Sequence, residues 1–214
     1  MIQEKQNKSF VEAQNLAPLP VMEAFYTLQG EGYHSGKAAY FIRLGGCDVG
    51  CVWCDVKESW DATPHPAVPL EKIVETALEN PARMAVITGG EPLMYDLTAL
   101  TQLLKQKSFQ TNIETSGVYP ISGQWDWVCF SPKKFKAPHE SIYRVANELK
   151  VIIYHPSDFD FAEQHAALVN QDCVLLLQPE WSRIQEMMPR IVEYVKRYPK
   201  WRVSLQTHKY MQIP

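Results

Sequence analysis

The sequence lacks three features that would each define a class of protein: paired cysteines, a long apolar run and a block of basic residues. Five cysteines in 214 residues are too few and too uneven for the disulfide framework of a small secreted domain. No run approaches the ~20 apolar residues that span a bilayer, and the opening segment MIQEKQNKSF has no signal-peptide core. With 21 basic and 24 acidic residues the net charge is -3, which argues against a broad nucleic-acid surface. We therefore expect a cytoplasmic protein with no membrane or nucleic-acid partner.

The length suggests one domain preceded by a short arm. Residues 1–20 are polar with little periodicity and end in the run Ala17-Pro18-Leu19-Pro20, so we predict an arm over 1–20 and a domain over 21–214. A chain of this size buries roughly 70% of its unfolded surface. It therefore needs neither disulfides nor a metal merely to hold a core.

Three of the cysteines, Cys47, Cys51 and Cys54, form one short motif with the spacing C-x3-C-x2-C. Cysteine thiolates are the usual ligands of iron–sulfur clusters, and a cluster of four irons normally takes four of them. Three thiolates on one loop would leave one iron with an open position, where a substrate or cofactor can bind. The spacing therefore favours an iron–sulfur cluster with an open site.

A structural zinc site is the main alternative for this loop. Such a site needs four protein ligands, usually in pairs, and only Cys51 and Cys54 make a C-x2-C pair. The third ligand would be Cys47, and the fourth would be His34 or His65 arriving from outside the loop. The two other cysteines of the chain lie in apolar, strand-like runs and are predicted to be buried as small hydrophobic residues: Cys129 and Cys173.

Apolar runs and helical periodicity alternate along the rest of the chain. Strands are predicted at 40–44, 84–88, 111–114, 126–131, 150–153, 174–177 and 201–206. Helices are predicted at 70–79, 97–107, 140–149, 157–170 and 182–197; Ser182 would cap the last, and Pro189 would kink or split it. This alternation predicts an α/β fold with a parallel sheet. The number of strands is too small for an eight-unit barrel and favours a partial, open β/α barrel of about six strands.

Polar residues follow each predicted strand at the point where it ends. In β/α barrels the chemistry gathers at the C-terminal ends of the strands, and the cysteine loop follows the first of them. The second ends in Gly89-Gly90-Glu91-Pro92, where glycines let the backbone approach a ligand and Glu91 offers an acceptor for an ammonium group. Further polar ends occur at 114–117, 131–133, 178–179 and 206–209. We therefore expect one site at this edge of the sheet.

These motifs resemble those of a known superfamily. The cysteine spacing followed by Gly89-Gly90-Glu91-Pro92 is similar to the radical S-adenosylmethionine superfamily, whose fold is a partial barrel. Five shorter segments resemble the 7-carboxy-7-deazaguanine synthase family within it: QGEG at 29–32, CD at 54–55, TSG at 115–117, SPK at 131–133 and QTHKY at 206–210. The resemblance extends from about Val21 to Pro214.

The resemblance implies roles for individual residues. The three cysteines would hold a catalytic [4Fe-4S] cluster, whose open iron would be chelated by the methionyl amine and carboxylate of S-adenosylmethionine. The residues implied for that cofactor are Trp53, Asp55, Gly90, Glu91, Ser131, Pro132, Lys133, Gln178, Pro179, Glu180 and Trp181. The residues implied for the substrate, 6-carboxy-5,6,7,8-tetrahydropterin, are Leu28, Gln29, Gly30, Glu31, Arg43, Thr88, His208 and Pro214. Pro214 would contribute its terminal carboxylate.

The reaction that the resemblance implies is a ring contraction in queuosine biosynthesis. One electron delivered to the cluster would cleave the sulfonium, and the resulting 5′-deoxyadenosyl radical would take hydrogen from C6 of the pterin. The ring would then contract with loss of ammonia, and S-adenosylmethionine would be regenerated. Gln29 and Glu31 suit the amide and amino edges of a pterin, and Arg43 suits a carboxylate. A flavodoxin or ferredoxin as electron donor and a homodimeric state are also implied.

One position departs from the family pattern. Members commonly carry Ser or Thr directly after Cys-Asp, and its hydroxyl ligates Mg²⁺, whereas this chain has Val56. Because hard cations need oxygen ligands, we expect weaker dependence on Mg²⁺ than in hydroxyl-bearing relatives.

Two other functions remain open from the sequence. An activase that installs a glycyl radical on a partner protein can be equally small and have the same cysteine spacing, but it needs a groove for a protein loop. A non-enzymatic iron–sulfur or zinc protein needs a fourth ligand. Neither alternative accounts for the QGEG and QTHK segments.

Overall fold

The computed structural model describes residues 17–214, so most of the predicted arm, residues 1–16, lies outside the described residues. The strands are β1 (Leu19–Leu28), β2 (Ala38–Leu44), β3 (Ala67–Val68), β4 (Met84–Gly89), β5 (Gln110–Thr115), β6 (Trp127–Phe130), β7 (Glu148–Ile153), β8 (Val174–Pro179) and β9 (Trp201–Val203). The helices are α1 (Leu70–Leu78), α2 (Thr98–Gln106), α3 (Ile142–Val145), α4 (Asp158–Ala166), α5 (Ile184–Arg197) and α6 (Thr207–Met211). Short 3₁₀ turns occupy Lys57–Ser59, Pro92–Met94 and Trp181–Arg183.

The nine strands of the described chain form one sheet in the order β3-β1-β2-β4-β5-β6-β7-β8-β9. From β2 to β9 every neighbouring pair is parallel, so the C-terminal ends of seven strands lie at one edge. Strand β1 pairs antiparallel with β2 and with β3 at the other side of the sheet. The predicted α/β class with an open parallel sheet is confirmed, with seven parallel strands rather than about six.

The two faces of this sheet differ in chemistry. On β7, Leu149, Val151 and Ile153 are at most 1% exposed and pack in the main core with residues of α2, α4 and α5. Glu148 and Lys150, which alternate with these residues, are also buried but point to the opposite face. We call the first face the helix face and the second the cavity face. Parallel strands are normally apolar on both faces, so the charged residues of β7 mark the cavity face as unusual.

The segment 140–149 does not form the predicted helix. Helix α3 covers only Ile142–Val145, and Ala146 is already extended with a ψ of 124°. Asn147 then joins two strands: its Oδ1 accepts from the Val128 backbone N–H at 2.8 Å, and its carbonyl accepts from the Val174 N–H at 2.9 Å. These tertiary hydrogen bonds override the local helical spacing, and β7 begins at Glu148.

The two ends of the domain also differ from the prediction. Strand β1 was not predicted and begins at Leu19, which is 4% exposed and lies two residues inside the predicted arm. Near the C-terminus, β9 ends at Val203 rather than 206, and α6 was not predicted. Helix α5 begins at Ile184 and contains Pro189 without being split, and it has no side-chain cap from Ser182, whose hydroxyl donates to Glu180 at 2.5 Å. No helix in residues 17–214 combines the length and apolarity required to cross a membrane.

Candidate active site

A cavity of about 280 Å³ opens at the C-terminal edge of the parallel strands. Its wall includes Thr88 and Gly89 of β4, Glu114 and Thr115 of β5, and Lys150 of β7. Gln178 and Pro179 of β8 and the loops that follow β1, β2 and β6 complete it. The strand ends that the sequence marks as polar therefore surround one space.

The cysteine loop forms one side of the cavity, and all three of its thiols line it. The loop is tied to the protein by a hydrogen bond from the Cys47 N–H to the Trp60 carbonyl at 3.1 Å and turns through a bond from the Cys54 N–H to the Cys51 carbonyl at 3.0 Å. All five cysteines of the chain are free thiols, and Cys129 and Cys173 are buried as predicted, at 2% and 7% exposure. No fourth cysteine therefore reaches the cavity.

The loop after β4 packs tightly against the cysteine loop. The Gly90 N–H donates to the Leu44 carbonyl at 2.9 Å, and the Glu91 N–H donates to the Gly46 carbonyl at 2.8 Å. A Cβ at Gly90 would overlap the Gly46 carbonyl oxygen and the Cys47 Cβ, so only glycine fits there. This close approach places the Gly90 backbone directly beside the first thiol.

Glu91 lies behind the cavity wall at 1% exposure. Its Oε1 accepts from the Leu93 N–H at 3.1 Å and from the Thr115 hydroxyl at 2.5 Å. Its Oε2 accepts from the Ser116 N–H at 2.8 Å and from the Ser116 hydroxyl. The carboxylate thus joins the ends of β4 and β5, and its contact with a methionyl amine stays a prediction.

Three charged side chains form the floor of the cavity, and we call Glu31, Glu114 and Lys150 the floor triad. The Lys150 ammonium donates to Glu31 Oε2 at 2.6 Å and to Glu114 Oε2 at 2.7 Å. The remaining carboxylate oxygens accept from side-chain amides, Gln206 on Glu31 at 2.8 Å and Gln29 on Glu114 at 3.1 Å. The floor therefore combines groups from the two ends of the domain and from two central strands.

Electrostatic interactions keep two members of the floor triad, Glu31 and Lys150, in their charged forms. Burial raises the pKa of Glu31, but the charge and hydrogen bond of Lys150 and the amides of Gln206 and Gln178 outweigh it and lower the pKa to about 2. Burial also lowers the pKa of Lys150, but the surrounding acidic groups raise it well above its ordinary value. Glu31 is therefore a carboxylate and Lys150 an ammonium at neutral pH.

A second lysine lines the cavity opposite the floor. The Lys133 ammonium donates to the Ser131 carbonyl at 2.7 Å and hydroxyl at 2.6 Å, and it lies 5.7 Å from the centroid of the Trp53 ring. Burial lowers the pKa of Lys133. The lysine can pair with an anionic group of a ligand that binds beside the cysteine loop.

The substrate residues expected from the sequence lie around the floor triad. Arg43 Nε donates to Glu23 at 2.6 Å, and the arginine side chain is 20% exposed at the cavity wall. Helix α6 brings His208 against Gly30, where a Cβ would overlap the imidazole. Burial lowers the pKa of His208 below 6.5, which favours the neutral ring. Pro214 also lines the cavity, and its carbonyl oxygen accepts from the Thr27 hydroxyl at 3.4 Å.

Most of the site residues expected from the sequence share this cavity. Two are not part of the wall, Glu91 and Pro132. The residues that line it are Leu28, Gln29, Gly30, Glu31, Arg43, Cys47, Cys51, Trp53, Cys54, Asp55, Thr88, Gly90, Ser131, Lys133, Gln178, Pro179, Glu180, Trp181, His208 and Pro214. Their individual roles stay predictions.

Sequence reasoning assigned no individual role to six further wall residues with hydroxyl, amide or charged side chains: Ser59, Glu114, Thr115, Ser116, Lys150 and Gln206. Four of them lie in the strand ends marked as polar, whereas Ser59 and Lys150 do not. A signal for Lys150 was present, because a strand flanked by apolar residues rarely contains an unpaired lysine. The partners that make it tolerable are 36 and 119 residues away along the chain, so the triad was not visible in any local pattern.

The donor set of the cysteine loop fits a [4Fe-4S] cluster with one open iron. Three thiols from one loop line the cavity and no other cysteine does, so a bound cluster would keep a position facing the cavity. Burial raises the pKa of Cys51 to about 11, and a bound metal would reverse this, because coordinating thiols are deprotonated.

A Mg²⁺ ion fits the same wall poorly. Val56 lines the cavity without a ligand atom, and the neighbouring Asp55 carboxylate faces the Lys209 ammonium at 3.4 Å. Within residues 17–214 no three side chains of His, Cys, Asp or Glu are grouped as ligands of a single metal ion.

Comparisons with known proteins agree with this geometry. Residues 41–128 match the family model of the radical SAM superfamily. The chain is 62% identical to a 7-carboxy-7-deazaguanine synthase of Flavobacterium psychrophilum, over 92% of this chain and 93% of the relative. It is 36% identical to the 7-carboxy-7-deazaguanine synthase of Escherichia coli K12, over 91% of this chain and 98% of the relative. A crystal structure described as QueE from Escherichia coli superimposes with a TM-score of 0.79 at 33% identity, covering 89% of this chain and 95% of that chain.

An open parallel sheet with a three-thiol loop at its C-terminal edge defines a radical S-adenosylmethionine enzyme, a class that uses a [4Fe-4S] cluster and S-adenosylmethionine. Within that class, the chain belongs to the 7-carboxy-7-deazaguanine synthase family.

Proposed function

We propose that this protein is a carbon–nitrogen lyase that converts 6-carboxy-5,6,7,8-tetrahydropterin into 7-carboxy-7-deazaguanine with release of ammonia. The observation that carries the proposal is the sharing of one cavity by the three thiols and the floor triad. Relatives that bear this enzyme's name match the chain over nearly its whole length. The reaction would serve queuosine biosynthesis.

The cavity has one half suited to each of two ligands. The cysteine loop, the Gly90 backbone and Lys133 form the half that would take the cluster and the methionyl portion of S-adenosylmethionine. When bound, that pair supplies the radical chemistry that starts the ring contraction. The floor triad, Arg43 and His208 form the half that would take the pterin.

The residues around the floor would bind and orient the pterin rather than react with it. Ionised Glu31 is acceptor-only and suits the N–H groups of an aminopyrimidinone ring. Arg43 offers N–H groups to the substrate carboxylate, because a guanidinium pairs well with that shape. Neutral His208 can donate from one ring nitrogen and accept at the other.

Four further proposals concern Mg²⁺, the electron donor, the oligomeric state and the cellular location. Mg²⁺ has no hydroxyl ligand at Val56, so we propose that turnover depends on it only weakly. A flavodoxin or ferredoxin as electron donor, a homodimeric state and a cytoplasmic location are proposed from the resemblance to the family.

The test is an anaerobic assay of the reconstituted protein with S-adenosylmethionine, a reductant and the carboxypterin. We expect stoichiometric deazaguanine product and ammonia, with only catalytic use of S-adenosylmethionine. A parallel assay without pterin measures uncoupled formation of 5′-deoxyadenosine. If the rate of S-adenosylmethionine cleavage is the same with and without the pterin, the activase is favoured. If no cleavage occurs, a non-enzymatic iron–sulfur protein is favoured.

A further inference from the structure

Lys150 is a buried charge placed where stability does not require one. Its side chain is 4% exposed, it sits between the core residues Leu149 and Val151, and it points to the cavity face of β7. Buried ion pairs are weak evidence for stability, because apolar side chains of similar volume usually serve as well. The lysine therefore requires a reason beyond folding.

The contacts of Lys150 restrain two carboxylates from different elements. Glu31 comes from the loop after β1 and Glu114 from the end of β5, and each gives one oxygen to the ammonium, at 2.6 and 2.7 Å. The other oxygen of each is held by an amide, from Gln206 or Gln29. Both carboxylates are thus fixed at two points while still lining the cavity.

A fixed, ionised carboxylate keeps acceptor capacity for a ligand. Each carboxylate oxygen can accept about two hydrogen bonds, so two bonds on Glu114 and three on Glu31 leave acceptor positions for a ligand on both side chains. Without a cation between them, two buried carboxylates would repel, and one would take a proton and become a donor. The ammonium therefore determines whether both carboxylates act as acceptors only.

A pair of acceptor-only carboxylates suits one chemical class of ligand. A reduced aminopyrimidinone carries ring N–H groups and an exocyclic amino group along one edge, so it can donate several hydrogen bonds at once. Sites built to bond such donors strongly reject analogues that lack them, because buried acceptors would be left unpaired.

We infer that Lys150 is a positioning residue, which holds Glu31 and Glu114 as oriented acceptors for the N–H edge of the substrate heterocycle. The inference deepens the proposed function and rests on it. Lys150 acts through the two carboxylates to which its ammonium donates, and these hydrogen bonds do not involve the cysteine loop.

The test compares Lys150→Met with Lys196→Met in the anaerobically reconstituted protein. Met keeps the apolar stem of the buried lysine, and Lys196 on α5, whose side chain is 67% exposed, is the matched control. We expect Lys150→Met to lower kcat/KM for the carboxypterin about a hundredfold, mainly through KM, since the loss of charged hydrogen bonds has this size. Iron content and affinity for S-adenosylmethionine should match the control.

A mutant cycle separates positioning from support of the fold. The background carries Glu31→Gln and Glu114→Gln together, which removes both carboxylates that would lose their partner in the Lys150→Met protein, so the stability cost of those unpaired charges is absent. If Lys150 acts through these two carboxylates, its replacement should cost less than about fivefold in kcat/KM in that background. A full hundredfold loss in that background would overturn the inference.

The pH profile is an independent readout. The charged or titratable groups that interact with Lys150 come from several elements: Glu31, Glu114, Cys129, Lys133, Glu148 and His208. Losing the ammonium raises the pKa of Glu31, so the acidic limb of the kcat/KM profile should move to higher pH in Lys150→Met. An unmoved limb with wild-type kcat/KM would also overturn the inference, whereas a wild-type protein that makes no deazaguanine would overturn the proposed function instead.

Discussion

The helix face and the cavity face of the same strands differ in the side chains that they bury: apolar on the helix face, polar and charged on the cavity face. On β7, Leu149 and Val151 join the apolar core, while Glu148 and Lys150, which alternate with them, are buried among charged and polar groups. On β5, Ile113 joins the core, while Asn112 and Glu114 are polar.

Burial alone therefore does not distinguish a residue that stabilises the core from a residue that serves the cavity. Leu149 and Lys150 are both nearly inaccessible, yet one excludes water from the core and the other carries a charge to the cavity. Substitutions one residue apart should therefore have distinct effects, on unfolding free energy for the helix face and on kinetics for the cavity face.

The strongest test of the cavity face is Cys51→Ala. Removing one of three thiols leaves too few ligands for the cluster, so product formation should fall below detection in the anaerobic assay. The matched control is Cys173→Ala, a buried cysteine in the core cluster that should keep turnover per folded molecule. Retained turnover in Cys51→Ala would refute the assignment of the ligands.

The corresponding test of the helix face is Leu149→Ala. Because the leucine is 0% exposed in the core, its truncation should lower the unfolding free energy by about 2–5 kcal/mol. Anaerobic denaturant titration measures that loss. The kcat/KM per folded molecule should stay at the wild-type value, and a large rise in KM would break the division between the two faces.

Arg43→Lys tests whether the shape of the guanidinium, and not only its charge, contributes to substrate binding at the cavity wall. A lysine keeps the charge but loses the planar donor fork, so KM for the carboxypterin should rise about tenfold to a hundredfold. Steady-state kinetics of Glu23→Gln provide the control, because that variant breaks only the ion pair of Arg43. Equal effects of both variants would reduce Arg43 to a structural partner of Glu23.

The smallest expected effect concerns Mg²⁺. Chelation should change the rate less than about threefold, because Val56 offers no oxygen. Val56→Thr supplies a hydroxyl and should make the rate more sensitive to chelation. Complete loss of turnover that only Mg²⁺ restores in the wild-type protein would contradict this expectation.

The residues predicted best from the sequence were those whose function is local. The cysteine loop and Gly89-Gly90-Glu91-Pro92 are short motifs that are continuous in the sequence, and each directly follows a strand that its apolar residues predict. The core was also predictable, since the apolar spacing of α1 and α2 matches their buried stripes.

The missed features depend on distant partners. The helical spacing in 140–149 was real, but Asn147 gains hydrogen bonds to two strands that no local pattern reveals. Strand β1 has only two buried residues, Leu19 and Val21, so its apolar pattern was weak. The floor triad could be predicted only with the knowledge that β5 and β7 flank β6 in the sheet.

Gln206 donates to Glu31 across 175 positions of the chain, whereas the three thiols lie on one continuous turn. Contacts between remote segments form late and slowly during folding, because the chain must first close a large loop. We therefore expect the segment that carries the three thiols to become ordered earlier in folding than the floor of the cavity, whose groups come from opposite ends of the domain.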